Sequence, residues 1–282
     1  MQLTGQIDRR AGLSAEDFNR EYLRPPRPVI LTTAISHWRA VGRWTPQFFK
    51  TEYGHLEIEV DGETMSLADL IDRIEASTDD RPAPYLRNQL LADWPPELLA
   101  DVLPMPECTR PNWLESRFFP SKRDLSSIEA YIGGKGAQFP ILHYDGLHTH
   151  AYLMQLHGDK EYIVFRPDQS AFMYPQGDYG NKSQIADVLH PDLAAFPLFD
   201  RAEGVRFRLH PGETLFVPAG WWHTARILSP SVTVSINTVN RANGDAFRRD
   251  YSGEMTRRSA PLGAAINGWM HLGKATRLFE FK

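Results

Sequence analysis

Gly212-Glu213-Thr214-Leu215-Phe216-Val217-Pro218-Ala219-Gly220-Trp221-Trp222-His223 is the stretch whose reading decides the fold. A glycine turn opens an apolar strand, and the Pro218-x-Gly220 turn reverses it, because proline fixes one backbone angle and glycine tolerates the left-handed region. His223 then stands facing inward at the start of the return strand. Eighty residues upstream, His143-Tyr144-Asp145 offers a second imidazole and a carboxylate. Two imidazoles and one carboxylate drawn from two strands make the facial set that holds Fe(II) and leaves coordination positions open.

The surroundings agree with a β-rich core. From Ser127 to Asn240, short β-branched and aromatic runs such as Tyr162-Ile163-Val164-Phe165 and Thr233-Val234-Ser235-Ile236 are separated by Gly and Pro turns, the texture of a barrel or jelly roll. Residues 168–206 form a long irregular insertion with Tyr174 and Tyr179, the kind of loop that serves as a lid or substrate platform.

Before the core, Ser14 and Ser66 read as helix caps, and the apolar spacing of Leu67, Leu70, Ile71 and Ile74 predicts a core-facing helix. Thr45 to Tyr53 reads as a helix, while Val29 to Thr33, His55 to Val60 and Pro84 to Gln89 read as strands. Residues 104–123 carry four prolines and little periodicity, so a long surface connection is expected there. After the core, a helical tail carries Met255, Leu262, Ile266, Trp269, Met270 and Leu272, which suit either a homodimer surface or packing on the outside of the barrel. The expected organisation is an α/β elaboration over 1–123, a double-stranded β-helix over 124–243 and a helical tail over 244–282.

Composition narrows the class. The 282 residues are 42% hydrophobic and 23% charged, with a formal charge of −4 that offers no attraction for nucleic acid. No apolar run is long enough to span a bilayer. Cys108 is the single cysteine, which excludes an internal disulfide, and the N-terminal residues lack signal-peptide blocks. A cytoplasmic protein with no membrane or nucleic-acid partner is expected.

The spacing Gly212-x5-Pro218-x-Gly220-x2-His223 resembles the second motif of the cupin superfamily. The pair His143-x-Asp145, in place of the usual His-x-His, resembles the JmjC-type 2-oxoglutarate and Fe(II)-dependent oxygenases, in which these three positions ligate iron. The resemblance continues in Gly158-Asp159-Lys160-Glu161-Tyr162, seventeen residues after His143 at the lysine, and implies that Lys160 pairs with the distal carboxylate of 2-oxoglutarate. A buried lysine also needs an anionic partner on physical grounds. Tyr85, in Tyr85-Leu86-Arg87-Asn88-Gln89, resembles the tyrosine that holds the same carboxylate in the asparaginyl hydroxylase branch. Ser235 and Asn237, on one face of a strand, match positions that line the cosubstrate pocket in the lysyl hydroxylase branch. The likeness covers roughly residues 24–240. It departs at Pro140, where a threonine is usual, and at Ala151 or Leu153, where an asparagine is usual.

The resemblance implies Fe(II), 2-oxoglutarate and O2 as cofactor and cosubstrates. It also implies hydroxylation of a protein or peptide side chain, or of a small molecule, with release of succinate and CO2. Arg87, Asn88, Gln89 and the insertion are placed to meet a peptide. The absence of a zinc module or basic arm favours hydroxylation over histone demethylation. Two other readings stand beside this one. His148 and His150 form a His-x-His that could serve with His223 in a cupin independent of 2-oxoglutarate. The usual following glutamate is replaced by Met154 and Gln155, so these histidines are assigned instead to the pocket wall or to substrate. The other is a non-enzymatic cupin-like binding domain, against which intact His143, Asp145 and His223 argue. Lys160 also has a plain reading as a surface lysine at a hairpin end. Trp221 and Trp222 are core residues or a support for the adjacent ligand.

Overall fold

Ser231-Val232-Thr233-Val234-Ser235-Ile236-Asn237-Thr238 alternates polar and apolar residues, yet both faces of its strand are enclosed. Val232, Val234 and Ile236 point outward into a core shared with the N-terminal helices. Thr233, Ser235 and Asn237 point inward and line a cavity. The period of two thus sorts side chains between an apolar packing layer and a polar chamber.

The computed structural model describes residues 1–120 and 127–280. The expected boundary at 123/124 falls outside the described residues. In chain order the strands are β1 Gln2–Leu3, β2 Asp8–Arg10, β3 Val29–Leu31, β4 Glu57–Val60, β5 Glu63–Ser66, β6 Leu86–Leu90, β7 Ile128–Gly133, β8 His150–His157, β9 Lys160–Phe165, β10 Pro175–Gln176, β11 Lys182–Ser183, β12 Glu203–Leu209, β13 Thr214–Val217, β14 Trp222–Ile227 and β15 Ser231–Thr238. The helices are α1 Ala15–Phe18, α2 Pro46–Tyr53, α3 Leu67–Glu75, α4 Pro96–Asp101, α5 Gly244–Arg258 and α6 Ala260–Ala275. A seven-stranded sheet, β2-β3-β13-β8-β15-β7-β6, and a four-stranded sheet, β1-β12-β9-β14, enclose the cavity between them. This is the cupin fold, mainly β with flanking helices, as the sequence texture led us to expect. Among the described residues no helix is long and apolar enough to cross a membrane.

The N-terminal elements form for the reasons read from sequence. Ser14, Thr45 and Ser66 accept from the amides of Asp17, Phe48 and Asp69, capping α1, α2 and α3. Leu67, Leu70, Ile71 and Ile74 of α3 are fully buried against the large sheet's outer face. Asp61 and Gly62 take positive φ in the two-residue β4–β5 turn, the conformation that such a hairpin turn favours.

The structure refines three expectations. Residues 104–120 do not simply run over the surface: Trp113, Leu114 and Phe119 are buried with Phe247, Tyr251, Met255 and Met270 of the tail. Isolated aromatic anchors in irregular chain carry no periodic signal, which is why the burial was not readable. In the tail itself, Met255 and Met270 are therefore core, whereas Leu262, Trp269 and Leu272 remain exposed. The insertion packs Met173, Ile185, Val188 and Phe199 into a separate cluster beside Phe165 and Trp222. It contributes no side chain to the cavity lining.

Candidate active site

His143 follows the loop after β7, and His223 lies on β14. Their backbones hydrogen-bond reciprocally, with His143 N donating to His223 O at 3.1 Å and His223 N donating to His143 O. This isolated antiparallel bridge explains how residues so far apart in sequence present adjacent imidazoles, whose ring centres are 4.4 Å apart. Asp145 comes in two residues later, its Oδ2 standing 3.8 Å from His223 Nε2. One donor atom from each of His143, Asp145 and His223 lies within 4.8 Å of the others.

The surrounding hydrogen bonds set the tautomers. His143 Nδ1 is 2.9 Å from the Ile141 carbonyl, and His223 Nδ1 is 3.1 Å from the Trp221 carbonyl. A carbonyl can only accept, so both Nδ1 atoms carry hydrogen and both Nε2 lone pairs are left for an ion. Burial, reinforced by the neighbouring His223, pushes the His143 imidazole down to about 4, keeping it neutral at pH 7. Trp222 is fully buried, donating from Nε1 to Ser170 Oγ, so its ring is core while the support for His223 comes from the Trp221 backbone. The insertion clamps the ligand loop from outside. Tyr144 OH donates to Tyr179 O, Asn181 Nδ2 donates to Tyr144 O, and Ser183 N donates to Leu142 O.

The triad opens into a cavity of about 290 Å³, near the small end of the roughly 300–1,000 Å³ usual for ligand sites. Lys160, the first residue of β9, pairs in register with Ile227 and Leu209 on either side. It is 2% exposed, so it is not a surface lysine. Its Nζ donates to Tyr85 OH at 2.8 Å and lies over the Tyr85 and Tyr131 rings at 5.2 and 5.8 Å. No carboxylate pairs with it among the described residues, and burial pulls its ammonium down to about 7. The chamber thus holds a convergent metal-ligand set and a buried cation whose charge is not compensated. An anion bound between them removes the cost of that cation.

Tyr85, Ser235 and Asn237 all line the same chamber. Ser235 pairs in register with Leu153 and Glu129. Asn237 donates to Thr149 Oγ1 at 2.6 Å. Ala151 and Leu153, at the positions where an asparagine is usual, make the opposing wall apolar, while Pro140 is exposed and away from the lining.

His148 and His150 do not belong to this wall. The turn at Leu147 and His148, both at positive φ, swings His148 outward to pair with Asp250 of α5. On β8, His150 shares the outward parity of Tyr152 and Met154, opposite to Ala151 and Leu153, and packs 5.5 Å from the Phe216 ring. Its Nδ1 accepts from Ala219 N at 2.9 Å. Both histidines border a different cavity, so the His148/His150/His223 arrangement is not assembled.

Several wall residues were not found from sequence. Phe139 stacks on His143 with ring centres 4.5 Å apart. Glu129 and Tyr131 come from β7, and their alternation with Gly133 was the available signal for the pair. Asn88, expected to meet a peptide, is carried into the wall by a register shift in β6.

Comparison with known proteins places this geometry. The Cupin-like domain family matches residues 15–239. The chain is 27% identical over 249 residues to Lysine-specific demethylase JMJ21 of Arabidopsis thaliana, covering 85% of this chain and 26% of that protein. It is 29% identical over 234 residues to Lysine-specific demethylase 8 of Xenopus tropicalis, covering 79% of this chain and 50% of that protein. It is 24% identical over 252 residues to human tRNA wybutosine-synthesizing protein 5, covering 82% of this chain and 76% of that protein. The chain therefore spans half or less of the length of these two demethylases. With its fold, its His-Asp-His cluster and a match over most of its length, the chain belongs to the Cupin-like domain family, among the JmjC-type 2-oxoglutarate and Fe(II)-dependent oxygenases.

Proposed function

We propose that the chain is a 2-oxoglutarate- and Fe(II)-dependent hydroxylase acting on a side chain of a protein or peptide, with release of succinate and CO2. The observation that carries this reading is Lys160, a fully buried ammonium without a carboxylate partner among the described residues, in the same chamber as a His-Asp-His cluster. Its cost is relieved by a dicarboxylate that reaches both the cluster and the lysine.

In this reading His143 Nε2, His223 Nε2 and an Asp145 oxygen hold the iron, with the Ile141 and Trp221 carbonyls fixing the two imidazoles. When bound, Fe(II) with 2-oxoglutarate and O2 supplies the oxidant for C–H hydroxylation. Lys160 and Tyr85 OH hold the distal carboxylate, and Ser235 adds a hydroxyl to the same wall. Asn237 braces Thr149, four residues beyond Asp145. Phe139, Leu147, Ala151, Leu153 and Ala225 keep water from the chamber. A protein substrate is in keeping with the demethylase names of two relatives, and hydroxylation of an N-methyl carbon would give demethylation by the same chemistry.

The test is succinate formation by the purified chain with Fe(II), 2-oxoglutarate and ascorbate. We expect turnover that requires both iron and 2-oxoglutarate and is abolished in Asp145→Ala. Succinate production unchanged in that variant would refute the proposal.

A further inference from the structure

The chamber holds a second charge that the proposed chemistry does not use. Glu129, on β7, lines it, and its Oε2 accepts from Tyr131 OH at 2.6 Å and from Asn88 Nδ2 at 3.0 Å. Asn88 Nδ2 also donates to Tyr131 OH at 2.8 Å. To do so Asn88 sits at φ 54°, in the left-handed region, where the β6–β7 register shifts. Asparagine tolerates that region better than most residues. The Tyr131 hydroxyl hydrogen and the Asn88 amide are therefore already committed to holding the carboxylate. What this cluster still offers to the chamber is acceptor capacity and negative charge.

No lysine, arginine or histidine forms an ion pair with Glu129 among the described residues. The nearby cations are held elsewhere: Lys160 is tied to Tyr85, and Arg87, over the Tyr85 and Phe139 rings, pairs with Asp61. On the reading proposed above, iron, Asp145, Lys160 and a dianionic cosubstrate cancel in formal charge. Among the charged residues that line the chamber, the one left unmatched is Glu129. A half-buried carboxylate of this kind is matched by a ligand that brings a positive charge and hydrogen-bond donors together.

We propose that Glu129, held by Tyr131 and Asn88, is a specificity-determining residue that admits a positively charged side-chain group, a guanidinium or an ammonium, to the chamber. This rests on the oxygenase reading for the loaded charge balance, and its test is read by binding. The probes are N-acetyl-arginine methylamide and N-acetyl-lysine methylamide. Their neutral counterparts are N-acetyl-citrulline methylamide and N-acetyl-norleucine methylamide. Saturation-transfer NMR titrations are made on the whole chain with Zn(II) and 2-oxoglutarate, and again without them. The cationic probes are expected to bind at least about tenfold more tightly than the neutral ones in the loaded protein. Glu129→Gln is expected to bring the pairs within about twofold, and Glu129→Asp to keep the preference.

Equal binding of cationic and neutral probes to the unsubstituted protein would overturn the proposal. So would a preference that persists in a cooperatively melting Glu129→Gln. If that variant does not fold, a crystal of the unsubstituted protein soaked with N-acetyl-arginine methylamide decides. A guanidinium about 3 Å from the Glu129 carboxylate supports the proposal, and one seated elsewhere overturns it. The two readings fail separately. Iron-dependent succinate formation without a cation preference removes only the role of Glu129. A cation preference without that turnover removes only the oxygenase reading.

Discussion

Raising the pH from 7 to 9 should weaken 2-oxoglutarate binding through one residue, Lys160. Burial lowers its ammonium from 10.5 to about 7. At roughly 1.4 kcal/mol per unit, this corresponds to an upper limit of about 5 kcal/mol for charging the side chain in the empty chamber. A dicarboxylate beside Nζ favours the ammonium, so binding takes up a proton wherever the free protein has lost it. The protonated fraction falls about 50-fold between pH 7 and 9 for a group titrating at about 7, and the affinity should fall with it. His143, held down to about 4, and Tyr85, raised by burial, do not titrate in that window.

Calorimetry on Mn(II)-loaded protein in two buffers of different ionisation heat measures both the affinity and the proton uptake. Uptake should approach one proton near pH 8.5 and vanish below pH 6. Lys160→Met should abolish the pH dependence and weaken binding at pH 7 by roughly 100-fold or more, the scale for removing one partner of a buried pair. Its effect on stability has the opposite sign. The folded pKa lies below the unfolded one, so the unfolded chain binds more protons between about 7 and 10.5 and stability rises with pH through that window. Lys160→Met should therefore stabilise the ligand-free protein most at pH 7 and below, with the gain fading towards 10.5. A flat affinity from pH 7 to 9, or unchanged affinity in Lys160→Met, would refute this reasoning.

Other substitutions probe separate parts of the structure. Tyr85→Phe removes the hydroxyl that receives the Lys160 hydrogen bond; the 2-oxoglutarate Kd should rise by roughly tenfold, with Mn(II) affinity unchanged by calorimetry. His148→Ala should leave Mn(II) affinity within about twofold, because this side chain is turned towards Asp250; a loss beyond tenfold would reinstate the histidine pair as ligands. Ser66→Ala should cost about 1 kcal/mol in urea denaturation by removing the α3 cap, and a change below about 0.3 kcal/mol would show that the cap contributes little.

The triad was legible because its chemistry is confined to a few side-chain types at fixed spacing and its turn chemistry is local. Lys160 and Ser235 followed from the resemblance to the JmjC-type oxygenases, and the structure places both in the chamber. The misplaced features share a cause. His148 and His150 stand next to the ligands in sequence, but a left-handed turn and the parity of β8 turn them to the other side. Trp113 and Phe119 are core anchors inside irregular chain. Glu129 lies on a strand whose partner faces were not known until β6 and β15 took their places on either side. In each case the deciding information was a long-range neighbour.

The most direct measurement is a crystal structure of the chain with Mn(II) and 2-oxoglutarate. The expected result is one ion bound by His143 Nε2, His223 Nε2 and an Asp145 oxygen at about 2.0–2.3 Å. The distal carboxylate should lie within about 3 Å of Lys160 Nζ and Tyr85 OH. An ion held by His148 or His150, or a carboxylate bound away from Lys160, would contradict it.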